Sequence, residues 1–162
     1  MDTKAELLRR RTVDVEMRNK FLEDRTLFDD SVDIENTIFL KDLINTSGWP
    51  KISEVGPEAS EATWLLVQHA DLDPEFQQQC LNLMKELPEG EISKRNIAYL
   101  EDRVLVAQSK PQLYGTQFYD EGDKLFVREI EDRPNLDPRR ELMGLEPFAK
   151  YEKIMHETYG KK

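Results

Sequence analysis

A single cysteine, Cys80, leaves this chain without any internal disulfide, and its place in a Leu/Met-rich helical stretch marks it as a core residue rather than a nucleophile. Histidine is nearly as scarce. His69 and His156 are the only two, with neither a His-x-x-x-His nor a Cys-x-x-Cys pair to support them, so no zinc site is expected. Asp71 and Asp73 offer oxygen ligands for magnesium, but an aspartate before Pro74 reads better as a helix cap, and no metal is assigned. Seven glycines make no phosphate loop, which removes nucleoside triphosphatases of that type, and the lack of a Gly-x-Ser-x-Gly elbow leaves little support for nucleophilic catalysis. No cofactor motif stands out. Basic residues are the scarcer charge, 23 against 33 acidic, and a net charge of −10 repels a phosphate backbone, so nucleic acid is disfavoured as a partner. No stretch approaches the roughly 20 apolar residues that span a bilayer. A charged segment follows Met1 where an apolar leader core would lie, so a cytoplasmic protein without membrane association is expected.

What is present reads as helix. With 162 residues, 38% of them hydrophobic, the chain is long enough for one ordinary core. The periodicity predicts a mainly α protein: about six helices and one β-hairpin, with residues 1–30 a peripheral N-terminal helix and 31–162 the single helical domain. Residues 3–23 carry a weak apolar stripe. Residues 33–45 repeat Ile and Leu at helical spacing and stop at Gly48-Trp49-Pro50. Pro57 and Pro74 sit at the first position of two further helices, the second capped by Asp73 and running to about Leu87. Another helix covers 91–108, where Tyr99, Asp102 and Arg103 share a face. After Pro111 the period changes, and Leu113–Phe118 and Lys124–Ile130, around Asp120-Glu121-Gly122-Asp123, read as the hairpin near 112–130. Asp137-Pro138 caps a short helix with Arg139 and Arg140, and Pro147 opens the last one.

Four polar clusters carry the functional reading. Gln68-His69-Ala70-Asp71 supplies an imidazole able to exchange protons near neutral pH, with Asp71 beside it, and these two are the catalytic candidates. Asp102-Arg103 and Arg139-Arg140 supply planar guanidinium groups for an anion, with Arg103 and Arg140 preferred. The run Gln112-Leu113-Tyr114-Gly115-Thr116-Gln117 packs two amides, a phenol and a hydroxyl into six residues, so Gln112, Tyr114, Thr116 and Gln117, with Gln68 and Trp49, are candidates for orienting a ligand. Each has a structural alternative: a satisfied buried histidine, internal bridges for the arginines, and a packed corner for Trp49.

The ordered set Gly48-Trp49-Pro50, Gln68-His69-Ala70-Asp71, Asp102-Arg103-Val104, Gln112 to Gln117 and Arg139-Arg140 resembles a family of bacterial proteins of unknown function, over roughly residues 33–155. That resemblance implies a mostly helical domain and no particular substrate. Two readings remain open. One is a small enzyme of hydrolase or lyase type acting on a polar anionic small molecule, with His69 as general acid/base. The other is a non-catalytic, immunity- or antitoxin-like acidic protein that captures a basic protein partner.

Overall fold

The computed structural model describes residues 2–160 other than Asp123. It is mainly α, with eight α-helices and one two-stranded antiparallel sheet among the described residues. The chain divides into two compact units, residues 1–92 and 93–162.

The first unit contains α1 (Thr3–Glu23), α2 (Asp30–Ser47), α3 (Ile52–Val55), α4 (Pro57–Gln68) and α5 (Pro74–Glu86). Expected as a peripheral helix, α1 packs against α4 and buries Leu7, Asp14 and Met17, residues seven and ten positions apart that fall on one face. The buried surface of α4 includes the short side chains of Ala59, Ser60, Ala62 and Thr63, and such residues let neighbouring helix axes approach closely. Asp2 caps α1 by accepting from the Ala5 N–H, and Asp73 caps α5 by accepting from the Phe76 N–H. Gly48 ends α2 with φ +75°, donating its N–H to the Ile44 carbonyl, and the next residue, Trp49, is a packed corner at 3% exposure. The one-turn α3 that follows has no counterpart in the sequence expectation.

The second unit holds α6 (Lys94–Ala107), β1 (Phe118–Glu121), β2 (Lys124–Val127), α7 (Leu136–Leu142) and α8 (Phe148–Tyr159). β1 and β2 pair from Phe118↔Val127 to Glu121↔Lys124. The expected turn includes Gly122, at φ +62°, and Asp123, which lies outside the described residues. Two expectations need correction. The first strand begins at Phe118, not at Leu113, because the N–H groups of residues 113, 114 and 116 are drawn to a side chain instead of a neighbouring strand; only Gln112 keeps a bridge, to Ile130. Asp137 lies inside α7 rather than ahead of it, and its Oδ1 accepts from the Phe148 N–H at the start of α8 (2.7 Å).

Cys80 is fully buried in α5, as its apolar neighbours imply. Burial, with a smaller push from the Asp73 charge, raises the thiol from 9.0 to about 12. The unfolded thiol therefore ionises first. Its contribution is intact below about pH 9 and, as pH rises toward 12, falls by about 1.4 kcal/mol per unit, because only the unfolded state has released the proton. We expect denaturation curves from pH 9 to 11 to show this slope, and Cys80→Ala to reduce it. A native thiol that alkylates at pH 8 as fast as a free one would contradict the assignment.

Candidate functional site

The first polar cluster forms around a buried carboxylate. Asp14 is 0% exposed, and a charge so placed is tolerable only when it is paired and hydrogen-bonded. His69, the C-cap residue of α4, meets it with Nδ1 at 2.9 and 3.0 Å from the two carboxylate oxygens. Arg18, one helical turn beyond Asp14, donates Nη1 to Oδ1 at 2.6 Å and Nη2 to both oxygens of Asp33 at 3.0 Å. Burial pushes the Asp33 carboxyl up, against the pull of Arg18. Because a carboxylate only accepts, Nδ1 carries a hydrogen, and in the neutral ring the lone pair then belongs to Nε2. Nε2 has no hydrogen-bond partner among the described residues, and the imidazole side chain is 18% exposed.

The partner of His69 is thus Asp14, 55 residues upstream, and not the Asp71 that adjoins it in sequence. Asp71 Oδ1 accepts instead from Gln77 Nε2 at 3.1 Å, and the same amide spans the carbonyls of Val67 and Gln68, tying α5 to the end of α4. Gln68 is 4% exposed. A cavity of about 290 Å³ in this unit is lined by Asp2, Lys4, Leu43, Ser47, Pro50 and Glu54 among others; His69 and Asp71 are not among its walls.

The second cluster forms in the second unit, around Asp102, also 0% exposed. Its Oδ1 accepts from the N–H of Leu113 (2.7 Å) and Tyr114 (3.0 Å), and its Oδ2 from the N–H and hydroxyl of Thr116, both at 2.9 Å. Residues 113–116 therefore wrap an anion that belongs to the protein itself. Burial pushes the Asp102 carboxyl up while these four donors pull it down. Three loop carbonyls are answered in turn: Leu113 O by Arg139 Nε (3.0 Å), Tyr114 O by Arg140 Nη1, and Thr116 O by the Tyr151 hydroxyl (3.3 Å). Gln112, fully buried, pairs its side-chain amide with both the N–H and the carbonyl of Gln117, at 2.8 and 3.0 Å. Arg103 Nη1 donates to Gln117 Oε1 (3.2 Å), and the Tyr114 hydroxyl donates to Glu101 (3.3 Å), its pKa raised to about 12 chiefly by burial.

Arg140 is 0% exposed and answers no carboxylate among the described residues. Its Nε donates to Glu146 O (2.7 Å), its guanidinium lies over the Phe148 and Tyr151 rings at 5.7 and 5.0 Å, and its Nη2 has no partner. Arg139, its neighbour, turns to Asp132 and the carbonyls of 131–132. The candidates thus fall into two groups: His69, Gln68, Asp71 and Trp49 in the first unit, and Arg103, Gln112, Tyr114, Thr116, Gln117 and Arg140 in the second.

The model of a family of unknown function, DUF6624, matches residues 3–162. The chain belongs to the DUF6624 family. No curated protein and no solved structure matches it. The family match is wider than the 33–155 likeness carried by the motifs, and it takes in α1 with Asp14.

Asp14, Arg18, Asp33 and Gln77 escaped sequence reasoning. A signal existed for Asp14: it stands seven residues after Leu7, where the apolar stripe of α1 calls for a core residue.

The wrapped loop generates a stability prediction. Asp102→Ala strips three backbone N–H groups and a hydroxyl of their acceptor and should cost about 3 to 5 kcal/mol in urea denaturation. Gly115 adopts φ +70°, and a Cβ there would meet Phe148 Cε2 at 2.8 Å. Gly115→Ala should therefore cost roughly 2 to 4 kcal/mol, whereas Gly122→Ala, at φ +62° with no atom within 4 Å, should cost about 1 to 2.

Proposed function

We propose that this protein is a small, cofactor-independent acid/base catalyst of hydrolase or lyase type, acting on a polar small molecule with His69 as the proton-transfer group. The observation that supports it most is the Asp14–His69 pair: a fully buried carboxylate on Nδ1 and an unpartnered Nε2 on a partly exposed ring. A histidine buried merely for packing commonly has both nitrogens answered. Here one nitrogen is fixed and the other is left open. In the proposed role Asp14 holds the tautomer and ring plane and stabilises the imidazolium once it forms; Nε2 removes a proton from water or from an acidic carbon, then returns it to the leaving group. Asp14 is accordingly a positioning residue. Arg18 bridges Asp14 to Asp33, so the dyad is braced from two helices.

Arg103 and Arg140, expected as an anion clamp, have internal hydrogen bonds to Gln117, Tyr114 and Glu146, so the proposal rests on His69 and assigns no anionic group to the substrate. A cytoplasmic setting is part of the same proposal.

The test is a turnover screen over ester, amide, phosphoester and β-elimination substrates with the full chain. His69→Gln keeps a side-chain amide for Asp14 but cannot cycle a proton, and should lower the rate on any substrate found by about 10²- to 10⁴-fold. Asp14→Asn should lower kcat with little change in KM, and its imidazole nitrogen spectrum should show a changed tautomer balance. A His69→Gln variant as active as the parent, or a parent inert across all four classes, would overturn the proposal.

A further inference from the structure

The net charge is not spread over the chain. Residues 1–92 hold 20 acidic and 10 basic residues, and residues 93–162 hold 13 of each, so the whole of the −10 sits in the first unit. Much of that unit's basic charge is tied up inside it: Arg10 on Glu6, Arg18 on Asp14 and Asp33, Lys41 on Asp73 and Lys51 on Glu54. What faces outward is predominantly acidic, with Lys4, Arg9, Lys20, Arg25 and Lys85 the exposed cations.

On α2 this outward charge frames exposed apolar surface. The helix buries Asp33, Asn36, Leu40 and Ile44. Turned away from them, Asp30, Ile34, Ile38 and Asp42 follow one another at four-residue steps, so they form one row along the helix. Ile34 is 46% exposed and Ile38 63%. Glu35, three residues before Ile38, adds a carboxylate beside the row; Arg9 and Arg10 are cations in its neighbourhood, Arg10 donating to the Glu35 carbonyl at 3.4 Å. Asp30 and Asp42 make no ion pair among the described residues, and Lys41, the only basic residue of α2, is engaged by Asp73.

We propose that this row is a docking surface for a basic amphipathic helix of a partner protein. Two adjacent β-branched side chains in water favour an apolar ridge laid across them at helical spacing, and the carboxylates at both ends select its flanks. Asp30 and Asp42 are twelve residues apart, so the partner's Lys or Arg groups must be separated by about 18 Å, roughly three turns. A second copy of this chain does not fit, because it would bring the same carboxylates and a unit of the same sign against the row. The surface is independent of the His69 chemistry, and it would serve either to bring the enzyme to a basic protein or to neutralise one.

A synthetic helical peptide with two leucines four residues apart and lysines about 18 Å apart tests it, alongside a twin with glutamate for lysine, by amide chemical-shift titration of the full chain. The lysine peptide should saturate with shifts on the outward side of α2, and raising salt should weaken it severalfold. Ile34→Ser with Ile38→Ser should weaken it about tenfold or more, and Asp30→Asn with Asp42→Asn about three- to tenfold with unchanged Tm, since all four side chains are exposed. His69→Gln should bind as the parent does, which separates this surface from the catalytic proposal. Equal binding of the glutamate twin, shifts centred elsewhere, an unaffected serine pair, or self-association through this face would each overturn it.

Discussion

A carboxylate removed from water has to be answered on its lone pairs by the protein, and two such groups, Asp14 and Asp102, organise the two units. Asp102 draws in the N–H groups of residues 113, 114 and 116 and so decides that this stretch is a loop and not a strand. Once that loop is bent, its carbonyls point away from Asp102 and need donors of their own. Arg139, Arg140 and Tyr151 are those donors, which places α7 and α8 against it. Leaving a single donor or acceptor unanswered costs about 1 to 3 kcal/mol, a large part of a domain's net stability, so the arrangement is close to all-or-none.

Asp14 performs the same service with a different remainder. Its answering groups are a guanidinium, which has donors to spare and passes one on to Asp33, and an imidazole, which has a second nitrogen. In the Asp102 cluster the loop groups of residues 113, 114 and 116 close on Asp102, Arg139, Arg140 and Tyr151, and the group left over is a guanidinium nitrogen, Arg140 Nη2; in the Asp14 cluster it is an imidazole nitrogen, Nε2. An imidazole can cycle a proton near neutral pH and a guanidinium cannot, so the proposed chemistry rests on His69 and not on the denser polar run.

Helices were legible wherever a proline or a capping aspartate announced them, and α4 and α5 begin at Pro57 and Pro74 as their local chemistry demands. The segment 112–117 was legible as special, but its alternation of apolar and polar residues looks the same whether its amides serve a strand, a ligand or a buried aspartate 11 to 14 residues away. Only the third dimension chooses. The pairing of His69 with Asp14 was beyond sequence for the same reason: Asp71 is near in the chain and Asp14 is near in space, and spacing along one chain reports the first alone. Arg140 reads as an anion ligand because its planar guanidinium suits a carboxylate or phosphate, and here two carbonyls and two aromatic rings stand in for one.

Because Asp14 rides on α1, the role proposed for His69 depends on a helix that contributes no other group to the imidazole. Fraying of α1 from the amino end would take Asp14 away from Nδ1 and leave the ring free to move between tautomers. A fusion, a proteolytic nick or a bound partner that lifts residues 3–14 would then act as an off-switch that silences the ring from behind.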